Sequence, residues 1–308
     1  MHKLSLADIH CDTAYEMFKA SQSFVDNSLS VSAKKAEIFE KYIQVAAIWS
    51  DKLLDNDSAY ERFFEIVDYL ARNIKSSRNT AFLQKCELSA KNNIIISLED
   101  ARILNGRISR IDDIFRAGVK FLTLLWSGET CIGGSFDTNI GLSDFGRDVV
   151  RRCIELGIIP DISHASRQSA DDVFGICAEK IPVIASHSDS YSVCPHPRNL
   201  TDAQFSQIKQ CGGLVGINLC SEHLGISAGV KPLCTIMAHI EYYLSLGGED
   251  TVCFGCDFDG ADTPHDFESI ASLPTIAEEM ARLNYSYELI DKIFFENAKN
   301  FIFKNIKL

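Results

Sequence analysis

The chain has 308 residues, of which 46% are hydrophobic and 23% are charged. This composition is typical of a globular protein and excludes disordered and fibrous classes. Thirty basic and 42 acidic side chains give a net charge of −12, a charge that repels nucleic-acid phosphates and anionic lipid surfaces, so we expect neither as a partner.

The amino-terminal residues MHKLSLADIHCD lack the apolar segment and small-residue cleavage site of a secretion signal. No apolar run approaches the ~18 residues needed to span a bilayer, and we expect a cytoplasmic protein. The 11 Cys are an odd number, which here indicates reduced thiols rather than a disulfide framework. Cys253 and Cys256 form a C-x-x-C pattern, but residues three apart on a strand face opposite sides, so we expect no redox or metal role for them.

Eight mostly apolar runs alternate along the chain with amphipathic segments. Near-continuous apolar runs are typical of strands that are buried on both faces of a parallel sheet. The predicted strands are residues 4–10, 42–49, 93–99, 120–126, 158–164, 182–187, 212–218 and 250–257.

The amphipathic segments predict helices between and after these strands. In 143–156, Ser143 is placed as the N-cap and Gly157 follows the last turn. The other predicted helices are 33–41, 57–75, 110–117, 169–178, 202–210 and 233–246, with two more between 274 and 304.

Eight strand–helix alternations in one chain predict an α/β fold, a single TIM-type (β/α)8 barrel. A doubly wound open sheet is the alternative, but no G-x-G-x-x-G follows the first strand and no G-x-x-x-x-G-K-[ST] occurs. No repeat or linker marks a boundary, so we predict one domain, residues 1–308, with additional helices at its carboxyl terminus.

Polar residues stand where five of the predicted strands end. The carboxyl ends of barrel strands meet at one face, where the active sites of such barrels lie, so these side chains are expected to converge. They are His10, Asp12, Glu99, His164, His187 and Asp257.

This set of side chains predicts a metal site. His10 and Asp12 are two residues apart and face the same side of an extended segment, where imidazole and carboxylate can bind one Zn²⁺. Glu99 can bridge two ions ~3.5–4 Å apart, and His164 and His187 would complete the coordination of the second ion.

Other interpretations remain for each residue alone. A single strand-end His is more often a hydrogen-bonded structural residue, Glu99 could cap the following helix, and Asp257 could form a turn. The histidines outside this set are expected to be solvated or packed, or in a turn: His2, His223, His239 and His265, with His196 in a turn between prolines.

The chain resembles the renal (membrane) dipeptidase family of binuclear zinc peptidases over nearly its whole length. The resemblance rests on several segments in a fixed order. They include DIHCDT at 8–13, SLED at 97–100, GLSDFGRDVVRRCIELGIIPDISHAS at 141–166, PVIASHSDSY at 182–191, PRNLTD at 197–202 and GCDFDG at 255–260.

The resemblance implies a distorted, metal-dependent-hydrolase-like (β/α)8 barrel that holds two Zn²⁺ per chain and cleaves free dipeptides, often with tolerance for a D-residue at the carboxyl-terminal position. His10 and Asp12 would bind one ion, His164 and His187 the other, and Glu99 would bridge them. Two such ions lower the pKa of a shared water toward ~7 and supply hydroxide.

The resemblance also assigns residues to the substrate. Asp257 corresponds to the acid/base that moves protons between water and the leaving amine, and Arg198 to the residue that grips the terminal carboxylate. Trp126 and Asn218, at the ends of the fourth and seventh predicted strands, are further candidates for substrate binding.

Trp126 is a departure from the family, because many members carry a His there that contacts substrate. An indole donates one hydrogen bond but cannot exchange a proton, so we expect retained activity with altered substrate preference. The chain lacks the secretion and lipid-anchor signals of mammalian members, which fits a bacterial cytoplasmic version. Members are often dimeric, so a homodimer is one alternative, although no stripe of residues marks an interface.

Two other functions stay open at this point. One is a different metal-dependent amidohydrolase that cleaves an N-acyl amino acid, a cyclic amide or a lactone on the same barrel. The other is a catalytically inactive binding homologue, for which Trp126 is the best argument.

Overall fold

The computed structural model describes residues 3–83, 87–227 and 229–306. Within these ranges the named strands pair in parallel. They are β1 (Leu6–Cys11), β2 (Tyr42–Trp49), β3 (Thr80–Phe82), β4 (Asn92–Glu99), β5 (Val119–Thr123), β6 (Ile159–Asp161), β7 (Val215–Ile217) and β8 (Val252–Phe254).

Helices separate most of the strands in sequence. They are α1 (Thr13–Ala20), α2 (Asn56–Ser76), α3 (Ser109–Arg116), α4 (Asp144–Leu156), α5 (Arg167–Cys177), α6 (Asp202–Gln210), α7 (Ser221–Leu224), α8 (Pro232–Ser245), α9 (Pro274–Arg282), α10 (Tyr287–Asp291) and α11 (Asn297–Asn305). The Ser143 side chain accepts the Gly146 N–H at the start of α4, and Gly157 ends it with φ 77°, as predicted.

The strands follow the order β6-β5-β4-β2-β1-β8-β7, with β3 beside the start of β4. Between β6 and β7, Ile184 pairs with Asp161 and Ala185 with Val215 through isolated bridges. These bridges join the two outer strands through an irregular segment. The prediction of a distorted (β/α)8-type barrel is confirmed.

The prediction of a regular strand at 182–187 is wrong. Pro182 begins this segment and Pro160 lies in the neighbouring β6, and neither proline has an N–H to donate to a ladder. The remaining hydrogen bonds, such as Ile184 N to Pro160 O at 3.1 Å, hold the segment in place without forming a continuous strand.

An apolar cluster fills the inside of the barrel near the amino ends of the strands. Every barrel position contributes to it, and α11 packs against it. Its members are Ala7, Ile9, Ile43, Val45, Leu83, Ile95, Phe121, Ile159, Ile184, Leu214, Cys253, Phe295, Ala298, Phe301, Ile302 and Ile306. A larger cluster lies between the strands and the helices, so the carboxyl ends are left to polar side chains.

Other predicted boundaries also differ from the structure. The helix expected at 33–41 is a single 3₁₀ turn, Lys35–Ile38, and neither α1 nor β3 was predicted. Five predicted strands (4–10, 120–126, 158–164, 212–218 and 250–257) form shorter ladders than their apolar runs suggest. Residues beyond those ladders, such as His164 and Asp257, have left-handed backbone with φ 68° and 62°, which an extended strand does not allow.

Within the described ranges no helix is both long and apolar enough to cross a membrane. The ten described cysteines form no disulfide. Cys253 lies in the inner apolar cluster and Cys256 in the outer one, so the two thiols of the C-x-x-C pattern face different sides of the barrel wall.

Candidate active site

Glu99, the last residue of β4, lies at the centre of a buried polar cluster at the carboxyl ends of the strands. Its Oε1 is 3.1 Å from His164 Nε2 and 3.5 Å from His187 Nε2. Its Oε2 is 3.7 Å from His10 Nε2, which lies 3.5 Å from Asp12 Oδ2. The two carboxylate oxygens therefore face different histidines, and the structure brings together all five predicted ligands.

A β-bulge in β1 turns His10 into this cluster. The register of β1 against β2 shifts between Asp8 and Cys11, and such an extra residue re-aims the side chains that follow it. Ile9 lies in the inner apolar cluster and Cys11 in the outer one. His10 and Asp12 consequently face inward together while Cys11 faces away, as their spacing predicts.

Ser186 links two of these histidines, a role that no pattern in the sequence predicts. Its Oγ lies 3.2 Å from His10 Nδ1 and 2.7 Å from His187 Nδ1, and it donates to Asp161 Oδ2 at 2.5 Å. A hydroxyl has one proton to donate, so it accepts from both imidazoles. In the neutral imidazoles the Nδ1 atoms then carry the protons, and both Nε2 lone pairs face the region around Glu99.

Asp161 is itself fixed by neighbouring donors. Its Oδ2 also accepts from Thr123 Oγ1 at 2.6 Å, and its Oδ1 accepts the backbone N–H groups of Ser163 and Ser186, each at 2.9 Å. The sequence signal for Asp161 is its position at the end of a strand, directly after Pro160.

Burial and mutual charge shift the pKa values in the cluster. Burial together with the negative charge of Glu99 raises the pKa of Asp12 to about 8. Burial opposes ionisation of Glu99, but the adjacent His10 and His164 imidazoles hold the pKa of that carboxyl below its usual range. Burial, with the neighbouring His10 and Arg198 side chains, lowers the pKa of His187, so this imidazole stays neutral as a ligand must.

The donor set fits divalent metal ions. Two buried polar atoms of this cluster, His10 Nε2 and Asp12 Oδ1, have no hydrogen-bond partner among the described residues. Two groups have ligand atoms within 4.8 Å of one another: His10, Glu99 and His187, and His10, Asp12 and Asp257. Imidazole nitrogens and carboxylate oxygens are suitable ligands for Zn²⁺.

Asp257 borders the cluster on the His10 side. Its Oδ1 is 3.9 Å from His10 Nε2, and its Oδ2 accepts a hydrogen bond from Asn218 Nδ2 at 3.1 Å. The left-handed backbone at Asp257 is uncommon for a residue with a side chain and is concentrated at functional sites in proteins.

A cavity of about 370 Å³ opens onto the cluster. One part of its wall is aromatic, and Trp49 lies edge-on to both Tyr15 and Trp126 with ring centroids 5.2 Å apart in each pair. The other part is acidic. The aromatic lining residues are Tyr15, Trp49, Trp126 and Phe136, and the acidic ones are Asp12, Glu16, Glu99, Asp257 and Asp259.

Arg198 lies close to the site but not on the cavity wall. Its side chain is buried, with Nη1 donating to Ser188 Oγ at 2.8 Å and Nη2 to the His187 carbonyl at 3.0 Å. In this arrangement the guanidinium supports the segment that carries His187, and the cavity lining among the described residues does not include it.

His223 is half-buried and is also among the residues that line the cavity. His239 is packed as predicted, accepting the Ser190 N–H at 3.1 Å, and the His265 side chain is 93% exposed. His196 packs on His223 with ring centroids 4.8 Å apart. His2 lies outside the described residues.

The fold has close counterparts among solved structures. A metallo peptidase from Rhodobacter sphaeroides, liganded with a phosphinate mimic of the dipeptide L-Ala-D-Ala, has a TM-score of 0.89 at 21% identity, covering 98% of this chain and 99% of that one. The probable dipeptidase PvdM from Pseudomonas aeruginosa has a TM-score of 0.84 at 17% identity, covering 98% and 95%. At these identities the likeness establishes the fold.

Sequence comparison establishes the family. An uncharacterized protein in the pqqA 5' region of Klebsiella pneumoniae is 28% identical over 244 residues, which cover 76% of this chain and 89% of that protein. The model of the membrane dipeptidase family, peptidase family M19, matches residues 1–305. With the family's fold and a buried cluster of metal-type ligands at the barrel mouth, the chain belongs to the membrane dipeptidase family of metallopeptidases.

Proposed function

We propose that the chain is a binuclear zinc dipeptidase that hydrolyses free dipeptides and tolerates a D-residue at the carboxyl-terminal position. The observation that carries the proposal is the position of Glu99, whose two oxygens face separate histidines. A carboxylate placed in this way is suited to bridge two cations.

His10 and Asp12 would hold one ion and His164 and His187 the other, with Glu99 between them. When bound, such ions lower the pKa of a water molecule toward ~7 and supply hydroxide at neutral pH. Ser186 holds the proton of each neutral imidazole on Nδ1, which leaves the Nε2 lone pairs of His10 and His187 for this role.

Asp257 acts as the acid/base of the reaction. Asn218 holds its Oδ2, which leaves Oδ1 to take a proton from the attacking water and return it to the leaving amine. The acidic part of the cavity wall suits the substrate's ammonium group, and the aromatic part, including Trp126, suits an apolar side chain.

Two further points support the choice of substrate. A cavity of about 370 Å³ matches a small ligand rather than a long peptide. The Rhodobacter sphaeroides relative was solved with a mimic of L-Ala-D-Ala, which motivates the D-residue in the proposal. The cytoplasmic location, the homodimer and the single domain stay predictions.

The test is turnover by purified, zinc-loaded protein of Ala-Gly and Leu-D-Ala, compared with N-acyl amino acids, cyclic amides and lactones. We expect hydrolysis of the dipeptides alone, loss of activity after chelation and recovery with Zn²⁺. Preferred hydrolysis of an N-acyl amino acid or lactone would favour the amidohydrolase alternative, and no turnover at full metal loading would favour a binding protein.

A further inference from the structure

The loop between β2 and α2, residues 50–55, adjoins the aromatic part of the cavity wall. These residues belong to no helix or strand. Residues 51–55 are exposed or half-buried, and Leu53 is 86% exposed. The position of the loop therefore depends on contacts other than those of regular secondary structure.

Two contacts connect the β2–α2 loop to the aromatic wall. Asp51 Oδ2 accepts a hydrogen bond from Tyr15 Oη at 2.7 Å, and Lys52 Nζ lies over the Trp126 ring, 5.0 Å from its centroid. Trp49, the residue just before the loop, lies edge-on to both rings. A change in the position of the loop would therefore move three of the aromatic side chains that line the cavity.

Arg102 binds this loop at both ends. Its side chain is 12% exposed and lies in the short turn Ala101–Leu104 that follows β4. Its guanidinium donates through Nη1 to Leu54 O at 3.2 Å and Asn56 Oδ1 at 2.6 Å, and through Nη2 to Ser50 O at 3.1 Å and Asp51 O at 2.6 Å. A planar guanidinium has its donors in fixed directions, so these bonds hold the start and the end of the loop relative to each other.

A buried carboxylate orients the Arg102 side chain. Asp100 is 2% exposed, its Oδ2 is 3.2 Å from Arg102 Nε, and its Oδ1 accepts the Arg102 backbone N–H at 3.2 Å. The Asp100 carbonyl in turn accepts from Ser50 Oγ at 2.9 Å. Because Nε and both Nη atoms of Arg102 are engaged, the guanidinium is held in one geometry.

The position of Glu99 does not depend on Arg102. The backbone of Glu99 pairs with Trp49 of β2 and with Thr123 of β5 in the sheet, and these ladders do not involve the Arg102 side chain. Loss of that side chain is therefore expected to release the loop and the aromatic wall while the proposed bridging carboxylate stays in place.

We propose that Arg102 is a positioning residue that fixes the β2–α2 loop and, through it, the aromatic wall that accepts an apolar substrate side chain. Arg102 is not among the described residues that line the cavity, so it acts through the loop. A wall that is ordered before binding loses less conformational entropy when the ligand binds. The part of the inference that concerns substrate rests on the proposed dipeptidase function, and the part that concerns the loop does not.

Fluorescence tests the position of the loop independently of activity. The chain has two Trp, Trp49 and Trp126, and both line the cavity. Acrylamide quenching of their emission is measured in the zinc-loaded wild type, Arg102→Met and Arg102→Lys. We expect a higher quenching constant in Arg102→Met, because the released loop exposes the indoles. Arg102→Lys should give an intermediate value, since an ammonium keeps the charge but lacks the fixed fork of donors.

The same proteins are compared with Leu-D-Ala, which has apolar side chains, and with Gly-Gly, which has none. For Arg102→Met we expect KM for Leu-D-Ala to rise by about 10-fold, because binding must then order the loop and the wall. The value of kcat should change little, since the wall contacts the ground state and the transition state alike, and KM for Gly-Gly should rise less. Arg102→Lys should recover part of the loss.

Zinc per chain and thermal midpoint are measured for each variant. Arg151→Met, at a side chain of α4 that is 58% exposed, controls for loss of a guanidinium away from the cavity. An unchanged quenching constant in folded Arg102→Met would overturn the inference, as would an equal rise of KM for both dipeptides, or a loss of zinc along with the loss of binding.

If Arg102→Met does not fold, Arg102→Lys decides by the same comparison: wild-type quenching and an unchanged ratio of the two KM values contradict the inference. A wild type that cleaves no dipeptide overturns the proposed function, whereas the quenching comparison still decides whether Arg102 holds the loop.

Discussion

The Ser186 hydroxyl is hydrogen-bonded to Asp161, His10 and His187 at the barrel mouth, and these contacts determine which nitrogen of each neutral imidazole carries the proton. Because its proton goes to Asp161, it can only accept from His10 and His187. Partners behind metal-binding histidines orient the rings and raise their basicity. This arrangement therefore orients the Nε2 atoms of His10 and His187 so that they can bind a cation.

Ser186→Ala should weaken zinc binding by about 10- to 100-fold, as the loss of such partners does in other metal sites. The measurement is zinc affinity by competition with a chromophoric chelator. Ser190→Ala is the matched control, because Ser190 is buried in the same segment and its Oγ has no hydrogen-bond partner within the described chain. Equal affinities in wild type and Ser186→Ala would refute the role assigned to this hydroxyl.

Asp257→Asn should lower kcat by about 10²- to 10⁴-fold, because an amide cannot carry the proton between water and the leaving amine. Zinc content should stay at the wild-type value if Asp257 is an acid/base rather than an obligatory ligand. Asp266→Asn, at a side chain that is 69% exposed, controls for the change of charge. Retained turnover in Asp257→Asn, or loss of zinc along with turnover, would contradict this assignment.

At the scale of elements, the site depends on irregular backbone where regular strands end. The bulge in β1 turns His10 inward, and the left-handed residues His164 and Asp257 redirect the chain after β6 and β8. The loop after β8 also packs closely: a Cβ at Gly260 would overlap the Asp12 carboxylate and lie 2.8 Å from Asp257 Oδ1.

Gly260→Ala should therefore displace Asp12 and lower zinc occupancy while the barrel stays folded. Gly175→Ala, in α5, has no heavy atom within 4 Å of the added Cβ and should bind zinc like the wild type. Zinc per chain by mass spectrometry, with circular dichroism as the check on folding, distinguishes the two. Full zinc loading of a folded Gly260→Ala variant would show that zinc binding does not require Asp12 in its proposed position.

The apolar runs predict the barrel, because buried parallel strands leave a strong compositional signal. The β2 prediction coincides with the observed Tyr42–Trp49. The segment at 182–187 is different: its Val, Ile and Ala look like a strand, but two prolines limit its ladder. The three-residue strand β3 has too few residues for a periodic signal.

The candidate ligands were predictable because they stand where the strands end, and barrel topology brings strand ends together. Ser186 and Asp161 were not predictable, because a hydroxyl that hydrogen-bonds to two imidazoles leaves no characteristic residue spacing in the sequence. His223 was missed for a similar reason: only packing in three dimensions places α7 on the cavity wall.

At the scale of the whole molecule, the inner apolar cluster fills the barrel near the amino ends of the strands. The candidate active site lies at the opposite end, where the strands have their carboxyl ends. Phe301 of α11 is 5% exposed and packs on Phe121 of β5, with ring centroids 6.3 Å apart. The helix thereby closes the barrel near the amino ends of the strands, away from Glu99.

Phe301→Ala should lower the free energy of unfolding by about 3–5 kcal/mol, because it leaves a cavity in this cluster. Zinc content of the folded protein should not change, since no candidate ligand belongs to the cluster. Phe303→Ala, at a half-buried position on the same helix, should cost less. Denaturant unfolding of the zinc-free proteins provides the comparison, and a loss at Phe301 no larger than that at Phe303 would argue against α11 as the barrel's closure.

The central claim is that two cations share Glu99 at the mouth of the barrel. Anomalous diffraction at the zinc absorption edge, from crystals of the zinc-loaded protein, tests it most directly. We predict two peaks about 3.5–4 Å apart, one beside His10 and Asp12, the other beside His164 and His187, with a Glu99 oxygen on each. A single peak, or two peaks with Glu99 bound to neither, would contradict the account.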